Sequence, residues 1–248
     1  MLEYKNHSAS SINEFISNKP LWFAKKFKGF KTKPGLPLIR GSAVEEGMNF
    51  YVLKKRETTM EECIKAALKT YDEKLAGIDD DIDFRQSIGP MVIKGCEEIS
   101  KIIDREKSFP KLQQKINIWL DGCKYPLIGY LDYQFPTLIV DNKTTGRTPS
   151  ELSVNYIIQG SIYRHATNCP VEFLFEVATK EVKTKLIRLS EYDFELGRKY
   201  ATAAAQAIER IVDNPIDGGL MEAFMFPDLE AGYNKSEQSD LAKLYGVL

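Results

Sequence analysis

Two consecutive segments, Gly129-Tyr-Leu-Asp-Tyr-Gln-Phe135 and Thr137-Leu-Ile-Val-Asp-Asn-Lys143, decide the fold of this chain. Both are rich in apolar and aromatic residues, and a turn with a proline separates them, which predicts two neighbouring strands. Side chains alternate between the faces of a strand, so Asp141 and Lys143 project in the same direction. If the strands pair across the turn, Asp132 comes near Asp141 at one end of the sheet.

Two carboxylates that converge beside an ammonium suit a divalent cation and a phosphate better than they suit a core. A lone Asp-x-Lys would instead be read as a surface ion pair, which contributes little to stability. Here the tripeptide follows four β-forming residues, and a second acidic strand precedes it. A polar loop and a predicted helix come after it. The combination indicates metal-dependent phosphodiester chemistry.

The order of the motifs resembles that of a known superfamily. Gly129-x-x-Asp132 is followed by Asp141-x-Lys143-Thr-Thr and then by Gln159-x-x-x-Tyr163. This order is similar to that of the PD-(D/E)XK nuclease superfamily, and more narrowly of its RecB-type exonucleases. That group includes phage, CRISPR-associated and mitochondrial single-strand exonucleases. The resemblance covers about residues 40–177.

The resemblance implies an α+β fold, with a restriction-endonuclease-like mixed β-sheet flanked by helices and a helical N-terminal half. It implies that Asp132 and Asp141 are ligands of Mg²⁺ or Mn²⁺. The backbone carbonyl of Asn142 would complete the metal site. Lys143 would position the attacking water or stabilise charge that develops on the phosphate.

Two further elements extend the expected site. Gln159 and Tyr163 are four residues apart and share one helix face, which in the family borders the active site and contacts the nucleic acid. The alternative places Tyr163 in the core and Gln159 in solvent. Upstream, Glu45 stands where many RecB-type enzymes have a metal-binding histidine, and a carboxylate suits Mg²⁺ or Mn²⁺ better than imidazole does. The alternative for Glu45 and Glu46 is a solvated helix face.

Composition is that of a globular enzyme, with 43% hydrophobic and 28% charged residues in a chain of 248. No apolar run approaches the length of a membrane span, and the N-terminus lacks the apolar core of a signal peptide. We therefore expect no membrane partner and a cytoplasmic location, in a bacterial cell or a phage-infected host. Some RecB-type relatives carry an iron–sulfur cluster, with one cysteine near the N-terminus and three near the C-terminus. The four cysteines of this chain do not follow that pattern and form no Cys-x-x-Cys pair, so we expect no iron–sulfur cluster. They are Cys63, Cys96, Cys123 and Cys169.

The formal net charge is −1, but the first forty residues hold eight Lys or Arg against Glu3 and Glu14. Aromatic residues lie between these charges, among them Trp22 and Phe23. Such a segment suits a path for a single strand, on which bases stack and phosphates pair. It also suits an amphipathic helix with the aromatics buried and the lysines in water, and the sequence leaves both open. The acidic run of residues 79–83 and the acidic tail are expected to be solvated.

We predict a single domain over residues 1–248, with a mainly helical wrap (1–110), a catalytic sheet with its helices (111–212) and a C-terminal tail (213–248). Residues 31–37 are predicted as a loop, and residues 135–137 as the turn of the first strand pair. The predicted helices cover about 8–18, 20 onward, 40–56, 58–75, 84–107, 151–166, 190–212 and 236–244. The predicted strands cover about 111–120, 125–135, 137–143, 171–178 and 183–189.

The function expected from these features is that of a metal-dependent DNA exonuclease in recombination, repair or phage DNA processing. Its substrate would be single-stranded DNA or DNA with a free end, and a helicase or recombination protein is the partner class implied. Three alternatives remain open from the sequence. They are a non-catalytic nucleic-acid-binding subunit on the same fold, a sequence-specific endonuclease, and a partner-docking protein with incidental acids.

Overall fold

The computed structural model describes residues 4–76 and 84–213. The predictions for the acidic run at 79–83 and for the chain beyond 213, including the helix at 236–244, lie outside these residues. The helices are α1 (Ala9–Ser17), α2 (Lys19–Phe27), α3 (Leu36–Leu53), α4 (Met60–Leu75), α5 (Arg85–Glu106), α6 (Val154–Thr167) and α7 (Glu191–Asp213). The strands are β1 (Lys111–Ile118), β2 (Leu127–Gln134), β3 (Ile139–Thr145), β4 (Val171–Val177) and β5 (Lys183–Arg188).

The five strands form one mixed sheet in the order β1-β2-β3-β4-β5. Strands β1, β2 and β3 are antiparallel neighbours, and Tyr133 lies opposite Val140 across the predicted turn. Strand β4 runs parallel to β3 because α6 carries the chain back over the sheet, and β5 returns antiparallel to β4. The predicted α+β class, with a mixed sheet flanked by helices and a helical N-terminal half, is confirmed.

Two hydrophobic cores lie on opposite faces of the sheet. The first packs α1, α2, α6 and α7 against one face, through residues such as Phe173 and Ile158. The second packs α3, α4 and α5 against the other face, through Val140 and Leu174. Neighbouring residues of β3 and β4 therefore point into different cores, as the two-residue period of a strand requires.

Strand β2 departs from this alternation at the position that bears the predicted site. Leu131 lies in the first core and Tyr133 in the second, although the two are separated by only one residue. Gln113 of β1 lies opposite Asp132 of β2. It has a φ of 48°, a left-handed conformation that non-glycine residues seldom adopt. The strand pair therefore changes orientation at Asp132, which frees its carboxylate from both cores.

Helix boundaries follow local chemistry. Thr59 caps α4 in a capping box with Glu62, so this helix begins at Met60 rather than at about residue 58. The loop predicted over residues 31–37 is wrong at its end, since α3 already begins at Leu36. Pro37 stands in the first turn of α3, where its missing N–H has no helical partner to lose. Helix α6 begins after its cap, Ser153, rather than at Glu151.

For two of its aromatic residues, the basic N-terminal segment follows the amphipathic-helix alternative, whereas Phe27 and Phe30 are only half-buried. Trp22 is fully buried, Phe23 is 8% exposed, and both belong to the first core. The Trp22 indole N–H donates to the Ser11 hydroxyl at 3.0 Å. These rings are therefore unavailable for stacking on nucleobases. None of the helices in residues 4–76 and 84–213 is long and apolar enough to cross a bilayer.

Candidate active site

A cleft of about 370 Å³ lies between α3, the adjacent ends of β2 and β3, and the first half of α6. Six of the seven residues predicted for the site take part in it. Its walls include Glu45, Asp132, Asp141, Asn142, Lys143 and Gln159.

Strand β3 supplies the central residues of the cleft. Asp141 is fully buried, and the ammonium of Lys143 forms an ion pair with its Oδ2. The two side chains lie on one face because they are two residues apart in a strand. The Lys143 Nζ also lies 5.7 Å from the centre of the Tyr156 ring, where a cation is attracted by the π face.

Asp132 joins this group from strand β2. Its Oδ2 accepts a hydrogen bond of 2.9 Å from the backbone N–H of Asn142. The bond holds the carboxylate beside β3 at the point where β2 changes its orientation. The pairing of the two acidic strands thus brings Asp132 next to the Asp141–Lys143 segment.

Helix α3 supplies Glu45 through a close approach to β3. A Cβ at Gly41 would lie 3.1 Å from Oγ1 of Thr144, so any larger residue here would require the Thr144 side chain to shift by a few tenths of an ångström. Glu45 is one turn further along the same helix face and therefore reaches the cleft, whereas Glu46 is exposed. Glu46 therefore lies on a solvated helix face, as the alternative interpretation expected, whereas Glu45 does not.

Helix α6 closes the cleft with Gln159. Its amide donates to Oδ1 of Asp141 at 3.3 Å and to the Tyr163 hydroxyl at 2.9 Å. Tyr163 is only 4% exposed and its ring belongs to the first core. Gln159 is thus the member of this pair that lies in the cleft, and Tyr163 supports it from behind. Whether either residue contacts nucleic acid stays a prediction.

The site concentrates negative charge away from water. Burial, and then the neighbouring carboxylates, raise the pKa of Glu45 to about 7. Burial likewise raises the pKa of Asp141 to about 7, against the opposing effect of Lys143. The pKa of Asp132 is also raised by burial. The pKa of Lys143 is lowered by burial, but Asp141 and Asp132 outweigh that effect, so its net pKa is raised and it stays protonated at neutral pH.

Two residues that the sequence did not single out contribute to the site. Gln113 of β1 donates through its side-chain amide to Oε1 of Glu45, and to Oδ1 of Asp132 at 3.4 Å. It therefore bridges two of the predicted ligands. The sequence carried no signal for it, because glutamine is unremarkable in the polar strand Lys111–Ile118.

The second is Glu176 of β4, which is fully buried and whose pKa burial raises well above the usual range. When the Asn142 side-chain amide is oriented with its nitrogen toward β4, it donates to Oε1 of Glu176 at 2.8 Å. An acid inside the otherwise apolar segment 173–177 is a signal that could have pointed to it. Glu176 anchors the middle residue of the Asp141–Lys143 segment from the opposite face of the sheet.

The three carboxylates line one cleft without forming a closed ligand shell. Within residues 4–76 and 84–213, no three His, Cys, Asp or Glu side chains converge tightly enough to be joint ligands of one ion. Gln113 stands between Glu45 and Asp132, and Lys143 is paired with Asp141. Both donors offset the repulsion between like charges in a space of low dielectric constant.

Comparison with known proteins supports the fold. No protein-family profile matches the sequence, and no curated protein matches it. The crystal structure of a protein named "Putative exonuclease" from Eubacterium rectale superposes with a TM-score of 0.61. The alignment covers 86% of this chain and 83% of that one at 14% identity. The similarity is one of fold. A phage-related exonuclease from Haemophilus somnus aligns over 85% of this chain and 98% of its own at 16% identity, but its TM-score of 0.31 is too low to carry an argument.

Proposed function

We propose that this protein is a metal-dependent nuclease that hydrolyses phosphodiester bonds of DNA from an end. One observation carries the proposal: two adjacent strands and a helix bring Asp132, Asp141, Glu45 and the Lys143 ammonium into a single cleft. A structural or docking role does not require an ammonium and three acids in a shared, largely buried space, because burying such charges is costly.

In donor type the cleft suits a hard divalent cation, although its three carboxylates do not converge on one point in this structure. The residues that would hold Mg²⁺ or Mn²⁺ are Asp132, Asp141, Glu45 and the backbone carbonyl of Asn142, all of which offer oxygen. Burial raises the pKa of all three carboxyl groups, and neighbouring carboxylates add to the rise for Glu45 and Asp141; a bound cation would favour the charged form of each. When bound, such an ion lowers the pKa of a coordinated water and screens the charge of a phosphate.

The chain's own residues then have separate tasks. Lys143 is a fixed positive charge that can donate to a non-bridging phosphate oxygen, where negative charge grows in the transition state. Gln159 holds Oδ1 of Asp141 and so fixes the orientation of that carboxylate. The Asn142 side chain, with its amide nitrogen turned toward Glu176, would hold the middle of the Asp141–Lys143 segment in place. These contacts preorganise the charges before substrate binds.

The assignment to exonucleases of the RecB type rests on the motif order and is supported by the fold similarity to the Eubacterium rectale protein. The substrate we propose is single-stranded DNA or duplex DNA with a free end, with contacts mainly to the backbone, so cleavage should depend weakly on sequence and strongly on salt. A helicase or recombination protein is the proposed partner class, and no iron–sulfur cluster is proposed.

The test uses end-labelled DNA with Mg²⁺ or Mn²⁺ and compares the wild type with Asp141→Ala and Lys143→Ala. Each variant should lose at least a hundredfold in cleavage rate, as expected when a preorganised charge is removed from a transition state. Matched controls are Asp121→Ala and Lys101→Ala, whose side chains are each 71% exposed. Equal rates in the wild type and both site variants would refute the proposal.

Two further measurements separate the alternatives. A non-catalytic binding subunit would retain DNA without cleaving it at any divalent-ion concentration. A sequence-specific endonuclease would cut covalently closed plasmid, which offers no end to an exonuclease.

A further inference from the structure

The β1–β2 hairpin has one buried face and one open face. Ile116, Leu127 and Leu131 belong to the first core, and helices α6 and α1 contact the hairpin on that side. The side chains of the other face are directed away from these helices. Those of Lys115, Asn117 and Tyr130 are exposed, and so is Trp119, which directly follows β1.

This open face leads directly from the cleft. Strand register places Lys115 opposite Tyr130. One rung closer to the cleft, two residues along each strand, stand Gln113 and Asp132, whose side chains are hydrogen-bonded to each other. At a rise of about 3.3 Å per residue, the two rungs are about 7 Å apart. The Lys115–Tyr130 rung is therefore an immediate continuation of the candidate active site.

The chemistry of the face is that of a surface for a nucleic-acid strand. Tyr130 is 52% exposed and Trp119 is 55% exposed. Both aromatic rings are therefore open to solvent, where a base can stack on them. The charged side chain that β1 exposes beside them is that of Lys115, which is basic. Exposed apolar residues scattered singly need no explanation. Here, however, two aromatics lie with a lysine on a sheet face that continues from the candidate active site.

We propose that this open face of the hairpin, formed by Lys115, Asn117, Trp119 and Tyr130, is the binding path for single-stranded DNA on its way to the cleft. Tyr130 stacks on a base close to the scissile phosphate, and Trp119 stacks on one further away. The ammonium of Lys115 pairs with the backbone phosphate between them. The inference rests on the proposed nuclease function, for which it names the strand-guiding surface.

The experiment measures binding without cleavage. Fluorescence anisotropy of a labelled oligothymidylate is recorded in EDTA for the wild type, Tyr130→Ala, Trp119→Ala and the double variant. Each single variant should bind about tenfold more weakly and the double variant at least thirtyfold, since stacking on an aromatic contributes strongly to single-strand binding. Lys115→Gln should weaken binding and lower its dependence on salt concentration.

The matched control is Tyr192→Ala, because Tyr192 is 76% exposed on α7, which packs on the opposite side of the sheet. It should bind as the wild type does. Wild-type affinity in the double variant would overturn the inference even if DNA cleavage is confirmed. Conversely, weakened binding in the double variant together with a wild type that cleaves nothing would refute the nuclease proposal and leave the strand path intact.

Discussion

Replacing Lys143 with methionine tests whether the buried charges of the cleft compensate one another. The Lys143 side chain is 20% exposed and that of its partner Asp141 only 1%, so the pair is largely removed from water. Methionine keeps most of the aliphatic stem and removes the charge. Removing one partner of a buried ion pair typically costs about 3–5 kcal/mol, because the other charge is left uncompensated. We expect about 3 kcal/mol for Lys143→Met, at the low end because part of the ammonium reaches solvent.

The reverse change should cost less. Asp141→Asn removes the carboxylate that repels Asp132, and this relief offsets part of the lost ion pair. The double variant carries neither charge. Its loss should fall short of the sum of the single losses by about 2 kcal/mol, within the range of coupling energies between residues in contact.

The assay is urea unfolding of the four proteins at pH 7.5 in EDTA, followed by circular dichroism. Lys101→Met is the control, because its pair with Glu98 is at the surface and should be worth about 0–1 kcal/mol. A loss below about 0.5 kcal/mol for Lys143→Met, or additive losses in the double variant, would refute the claim that the cleft is a buried, mutually compensating set of charges.

Three further predictions concern protons, the bridging amide and the hairpin's anchor. Glu45 and Asp141 have folded-state pKa values of about 7, raised by burial and neighbouring carboxylates. Between about pH 4 and pH 7 the folded state therefore keeps protons on these carboxyl groups that the unfolded state has released. Their contribution to stability is present below about pH 4 and is lost as the pH rises to about 7. Mn²⁺ should accordingly raise the melting temperature more at pH 8 than at pH 5.5, and an equal shift would contradict the assignment of these acids to a cation site. Gln113→Ala removes the N–H donor that competes with a cation for the two carboxylates it bridges, so calorimetric titration should show Mn²⁺ binding a few-fold more tightly; weaker binding would instead make the amide a ligand. Glu209→Ala removes the carboxylate that accepts hydrogen bonds of 2.9 Å from the backbone N–H groups of residues 124 and 125. Urea unfolding should show a loss of about 3 kcal/mol, with a smaller loss for Glu209→Gln, which keeps one acceptor oxygen.

The sequence was most informative where the argument was local. The two-residue period of a strand places Asp141 and Lys143 on one face whatever surrounds them. The turn between the two motif strands favours the antiparallel pairing that brings Asp132 close. Thr59 and Glu62 mark the start of α4 through a capping box that is complete within four residues. The order of elements was predictable for the same reason.

The tertiary structure decided what depends on contacts between distant segments. Trp22 lies in a core that also contains residues of α6 and α7, from the far end of the chain. Gln113 reaches Glu45 across 68 residues, and Glu176 meets Asn142 only because β4 lies parallel to β3. Local sequence patterns predict which face of a helix or strand a side chain occupies. Only the packing of distant segments determines which residues lie against that face, and therefore which buried charges compensate one another.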